Sequence, residues 1–211
     1  MGLGDPALGS LTQYAEQPID SSHGCFSNCP TCRRLRKATA EFAVRHGVDG
    51  ITSAAIAEFA GVPLERAVEH YPTLDACLAA TYDEGSLRLR RVCVRALRGS
   101  GSWQERLRAA ADAGIEEFKT RPELARFCMM VAWRSDLPVL CASRVAARER
   151  LVAILAEESG PGDEHLPDLR FEILVGAAHH TVSEEIHANG GARAVRERLD
   201  QVIDLFEPVA S

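Results

Sequence analysis

The 211-residue chain has no uninterrupted apolar run near the roughly 20 residues that a bilayer-spanning helix needs. That excludes a helical membrane protein. Its opening, MGLGDPALGSLTQYAEQPIDSS, has neither a basic start nor an apolar core, so the sequence predicts a cytoplasmic chain without a secretory leader or a membrane partner. An excess of positive charge is missing too: 24 Lys and Arg face 30 Asp and Glu, a formal net charge of −6. A protein that coats nucleic acid or anionic lipid by bulk charge is excluded, though a local basic patch is not. Period-two alternation bounded by turn residues is absent, so strands are not expected. Neither Gly-x-Ser-x-Gly nor His-Glu-x-x-His occurs, which removes the commonest hydrolase nucleophile and zinc-protease signatures. The expectation is a non-enzyme.

What is present is helical. Hydrophobic residues make up 46% and charged residues 26% of the chain, an ordinary globular balance. Residues 1–24 are rich in Gly, Pro, Ser and Asp without a period and are expected to form a mobile tail. After them, apolar residues recur at helical spacing in CRRLRKATAEFAVRHG, TSAAIAEFAGV and PLERAVEHY. Thr52 and Ser53 are candidate N-caps, Gly47 and Gly61 are stops, and Pro63 stands at a helix start. Longer helical windows follow at 74–98, 103–119, 122–133, 139–158, 168–188 and 191–207. The chain is expected to be all-α with about nine helices: a helix-turn-helix unit over 25–73 and a larger helical unit over 74–211.

Two helices joined by a tight glycine turn, the second one short, follow helix-turn-helix grammar. Ala57, Ala60 and Val62 permit the close crossing that lets the second helix project into a major groove. The stretch GVDGITSAAIAEFAGVPLERAVEHYPTLDACLAATYDE resembles the N-terminal domain of the TetR family of bacterial transcriptional regulators. The resemblance covers roughly residues 33–80. It rests on Gly47, Thr52, Ile56-Ala57, Ala60-Gly61-Val62 and the closing His70-Tyr71, with Pro63-Leu64 similar to one subgroup. Val68 and Leu74 depart from it, standing where many members have Tyr and Lys. Glu65 and Glu69 are carboxylates that a groove must match or hold away from phosphate.

Between Cys25 and Ala80 six basic residues face six acidic ones. Phosphate contacts are therefore expected from the cluster Arg33, Arg34, Arg36 and Lys37, with hydrogen bonds from Thr52, Ser53 and His70. Arg66 is the candidate for reading a guanine. The resemblance adds Pro63, Leu64 and Tyr71 to the DNA-binding set and makes operator DNA the partner.

The resemblance further implies that the later helices enclose a small-molecule pocket and that the last two pair with a second copy in a homodimer. Tyr82, Cys93, Phe118, Phe127, Met130 and Trp133 are bulky enough to line such a pocket, or simply to pack a core. Val175, Gly176, Ala178, Val182, Val202 and Phe206 are the candidate dimer seam. His179, His180, Glu184 and His187 offer metal-ligand types on one helix, but a solvated polar face accounts for them as well. The function implied is that of a repressor whose operator affinity a small molecule controls. A dimeric binding module that has lost specific DNA binding is the alternative raised by Glu65, Val68 and Glu69.

Seven cysteines remain to be explained. Cys77, Cys93, Cys128 and Cys141 stand singly in apolar helical windows, where a cysteine is a small hydrophobe. HGCFSNCPTCRRLRK is different. Cys25, Cys29 and Cys32 have the Cys-x3-Cys-x2-Cys spacing of the cluster-binding motif of radical-SAM enzymes, but a chain without strands cannot build their β/α barrel. Three readings stay open. With His23, these thiols could hold zinc or an iron–sulfur cluster, making the protein a metal or redox sensor. Cys29 and Cys32 could form a thiol switch at a helix start. The cluster could also have no special role, and no second Cys/His pair follows at zinc-finger spacing.

Overall fold

The computed structural model describes residues 29–159 and 167–206. The expected tail and the candidate ligands His23 and Cys25 lie outside them. The described residues form nine helices and no strand.

α1 (Pro30–His46) starts with proline at its first turn, where the missing N–H costs no bond. It buries Cys32, Leu35, Arg36, Thr39 and Ala43, one stripe at helical spacing. α2 (Ser53–Ala60) begins where the Thr52 hydroxyl accepts the Ala55 N–H at 3.1 Å. It ends at Gly61, whose φ of 61° lies in the left-handed region that glycine enters without penalty. α3 (Leu64–His70) follows, with Pro63 as its N-cap. α4 (Leu74–Leu97) is capped by Thr73, and α5 (Trp103–Thr120) by a Ser102/Glu105 capping box.

α6 runs over 122–134 in three pieces: Pro122–Arg126, a π-helical turn at Phe127–Val131, and Ala132–Arg134. α7 (Pro138–Ser159), α8 (Pro167–His187) and α9 (Ala192–Asp204) complete the fold. No described helix is long and apolar enough to cross a membrane.

One apolar cluster joins Leu35, Ile56, Ala67 and Tyr71 to Leu78, Phe127 and Leu140. The core of α1–α3 thus continues into α4, α6 and α7, across the boundary expected at 73–74. Two smaller clusters lie around Leu97, Leu107 and Leu174, and around Ile115, Met129 and Leu199. Gly85 lets α4 and α6 meet: a Cβ there would stand 2.5 Å from Cys128 Sγ.

Candidate nucleic-acid interface and internal cavity

α3 is fastened to the body through few side chains. Only Ala67 is buried within it, with Val62 before it and Tyr71 after it. Leu64, Glu65, Arg66, Val68 and Glu69 all face outward. Two large apolar side chains, Leu64 and Val68, thus stand on this short exposed face. Arg66, the expected guanine reader, pairs with Glu69 at 2.5 Å. Thr52 and Pro63 are exposed, and Ser53 is half-buried at the start of α2.

The basic cluster divides. Arg33 and Lys37 are exposed one turn apart on α1, Lys37 loosely paired with Glu41 at 3.7 Å. Arg34 turns to α2 and donates to the carbonyls of Ala60 and Gly61 at 2.7 and 2.8 Å. It caps a helix C-terminus, a task cations suit.

Arg36 corrects the sequence reading outright, because it is 6% exposed. Its Nε donates to Glu84 at 2.6 Å and its Nη1 to the Tyr71 hydroxyl at 2.8 Å. Tyr71, also expected at the DNA, is buried in this same contact. Burial disfavours both charges of the pair. The hydrogen bond and mutual attraction outweigh it, raising Arg36 and holding Glu84 below the usual carboxylate value. Glu84 also meets Arg88 at 3.1 Å and Arg121 at 3.7 Å. One carboxylate on α4 therefore ties α1 and the end of α3 to the α5–α6 junction.

Arg88 and Arg121 stand at a cavity of about 240 Å³ lined by residues of α4–α9 and open to solvent on one side. Of the six expected lining residues, Tyr82, Cys93, Phe118 and Trp133 line it. Phe127 does not: it is wholly buried in the core shared with α1–α3. Met130 packs against the Ile115 cluster. Both stand in or beside the π turn, which shifts side-chain phase relative to an α-helix, a break that local composition does not announce.

The polar part of the cavity wall was not foreseen. Arg88, Arg90, Arg121, Arg144 and Arg148 line it against one carboxylate, Glu117. Arg90 is 7% exposed and its Nε has no hydrogen-bond partner among the described residues. Burial lowers its pKa, with the charges of Arg150 and Arg91 adding to the effect. A buried cation with a spare donor is costly unless an anion meets it. Arg144 gathers the carbonyls of Ala132, Trp133 (2.8 Å) and Ser135 (2.9 Å) and lies over the Trp133 ring. His179 stacks on the same ring at 3.6 Å.

Burial, with Arg144 and His180 nearby, pushes His179 down to about 4 from 6.5. A base depressed on folding binds its proton first in the unfolded chain. Stability is therefore intact above pH 6.5 and falls as pH drops towards 4. The loss between pH 7 and 5 should be about 2 kcal/mol by linkage. Urea midpoints at the two pH values should show it, and His179→Phe, which keeps the stacking, should remove most of it.

The expected dimer seam is partly turned inward. Val182 is buried with Ile115 and Leu199, while Val175, Ala178 and Val202 are half-buried on the cavity side. Phe206 packs beside the Leu97 cluster, and Gly176 is exposed. The outward faces carry Leu169 (53% exposed), Ile173 (52%) and Leu205 (82%) instead. A helix with apolar residues on several faces does not declare from sequence alone which of them a partner would cover.

The remaining sequence candidates are cysteines. Cys29 and Cys32 lie at the start of α1, with His70 of α3 between them and its Nδ1 3.9 and 3.5 Å from their sulfurs. Donor atoms of the three residues are all within 4.8 Å of one another. His70, expected at phosphate, faces these thiols. Cys77 and Cys128 are buried hydrophobes as expected, and burial pushes both thiols up.

No protein-family model matches the chain, and no curated protein does. Solved structures do. The fatty acid degradation regulator FadR from Bacillus halodurans superposes with a TM-score of 0.68 at 14% identity, covering 81% of this chain and 96% of that one. A TetR-like transcriptional regulator from Rhodococcus sp. RHA1 gives 0.66 at 18% identity, covering 84% and 97%. A TetR family transcription regulator from Marinobacter aquaeolei VT8 gives 0.61 at 17%, covering 82% and 94%. The helix order, the short outward α3 and the helical body behind it are thus one arrangement: the chain has the fold of the TetR-family transcription regulators.

Proposed function

We propose that the chain is a homodimeric transcriptional repressor that reads operator DNA with α3 and is released by an acidic, apolar small molecule in the cavity. The observation that carries this reading is the ion-pair network from Tyr71 at the end of α3 through Arg36 and Glu84 to Arg88 and Arg121 at the cavity. An anionic ligand competes with Glu84 for Arg88 and Arg121, and Glu84 in turn sets the hold on Arg36 and Tyr71. The ligand thereby shifts the pose of α3 by changing one shared carboxylate. A coupling of about 1–3 kcal/mol suffices to release an operator.

The ligand chemistry follows from a mainly apolar wall with five arginines and one carboxylate. One structural neighbour regulates fatty acid degradation, and long-chain acids fit this description. Leu169, Ile173 and Leu205 supply apolar surface for a second copy. Two copies give two α3 helices and a two-fold operator. Arg33, Lys37 and the N-terminus of α2 are left to meet phosphate.

Selection from randomised duplexes should enrich a two-fold symmetric sequence. Arg66→Ala should flatten discrimination at one base position per half-site by about 1–3 kcal/mol, roughly 5- to 150-fold. Failure to enrich any sequence refutes the reading.

A further inference from the structure

We propose that Cys29, Cys32 and His70 bind a zinc ion that ties the start of α1 to the end of α3. The two sulfur–nitrogen separations are close to bound ones, and all three donor atoms lie within 4.8 Å of one another. Zinc–sulfur bonds of about 2.3 Å and zinc–nitrogen bonds of about 2.0–2.1 Å place S and N about 3.6 Å apart on a tetrahedral ion. The Sγ–Nδ1 separations are 3.5 Å for Cys32 and 3.9 Å for Cys29. The longer one must close by only a few tenths of an ångström.

Local structure favours the charged ligands. Cys29 is the N-cap of α1, and Cys32 is in its first turn. A helix N-terminus favours negative charge. Two thiolates and an imidazole are a soft, nitrogen-containing set that suits zinc and not magnesium or calcium. Three protein ligands leave a fourth position for water or another donor. On binding, each thiol gives up its proton to solvent and the neutral imidazole donates its Nδ1 lone pair. No electrons are transferred.

The consequence lies in what the ion joins. α3 buries only Ala67 of its own residues, so a metal link from His70 across 41 and 38 residues of chain to the two cysteines is a major constraint on its pose. Only this effect on operator affinity rests on the regulator reading above. Zinc binding itself does not.

The test uses the full chain, purified under reductant, loaded with zinc and dialysed. Elemental analysis should find about one zinc per chain. Removing it with a chelator should lower the thermal midpoint. Cys29→Ser and His70→Gln alter half-buried positions and should fold, as circular dichroism checks. Each should lose the zinc and the midpoint shift, whereas Cys141→Ser, away from the site, should keep both. A reduced wild-type chain that retains no zinc, or variants that retain it, would overturn the proposal. Zinc retained by a protein with no operator affinity would uphold the site and sink the regulator reading. The converse result would do the reverse.

Discussion

Glu84→Gln should cost about 3 kcal/mol of stability, because it takes the Glu84 carboxylate away from the buried Arg36 guanidinium. Arg36 and Glu84 are 7% and 13% exposed at their side chains, too enclosed for water to replace the lost partner. In a chain of this size that lowers the thermal midpoint by roughly 6–12 °C. The comparison that isolates the cause is Arg36→Met with Glu84→Leu. Removing both charges should return most of the stability, since an apolar pair of similar volume is often as good as a buried ion pair.

The functional effect should not return with it. Tyr71 would lose its Arg36 donor, and Arg88 and Arg121 would lose their shared carboxylate. The double variant should fold and bind DNA but ignore cavity ligands. Acid should mimic the single change. Glu84 has its pKa lowered on folding, so its contribution is complete above the ordinary carboxylate range and is lost as pH falls through its depressed value.

Arg90→Met should move stability and function in opposite directions. The guanidinium is buried, lacks a hydrogen-bond partner at Nε among the described residues, and feels the like charges of Arg150 and Arg91, which the opposite charge of Asp83 only partly offsets. Replacing it with an apolar chain of similar length should stabilise the fold by about 1 kcal/mol or more. If the cavity holds an acid, its carboxylate loses a desolvated partner. Affinity should then drop by about 2–5 kcal/mol, roughly 30-fold to several thousand-fold. Calorimetry with a long-chain fatty acid, alongside thermal melts, reads both. A variant that is less stable and binds the acid unchanged would place the arginine outside the ligand site.

These two sites were the least legible in the sequence, for a common reason. The helix order, the Thr52 cap, the Gly61 stop and the short α3 depend on residues a few positions apart, and local pattern is enough to place them. Arg36 stands in the run Arg33-Arg34-Leu35-Arg36-Lys37, where charge pattern suggests an exposed patch. Only the arrival of Glu84, 48 residues later, makes the inward position affordable. The pairing of His70 with Cys29 and Cys32 is likewise tertiary. The expected ligand His23 lies outside the described residues, and the approach of His70 from some 40 residues further along the chain is one that sequence spacing does not announce. The cavity's apolar wall was partly readable from bulk, as Tyr82, Cys93, Phe118 and Trp133 show. Its arginines were not, because nothing in a helical window tells a snorkelling arginine from a buried one.

The central claim is that α3 reads DNA under control of the cavity. Titration of the protein against the DNA upstream of its own gene, at two salt concentrations and with or without a long-chain fatty acid, tests it most directly. The account predicts tight binding that weakens steeply with salt, as phosphate contacts require. It also predicts that the acid weakens binding about 5- to 150-fold in the wild type, the span of a 1–3 kcal/mol coupling, and not at all in Arg90→Met. Binding no tighter than to unrelated duplex would contradict it.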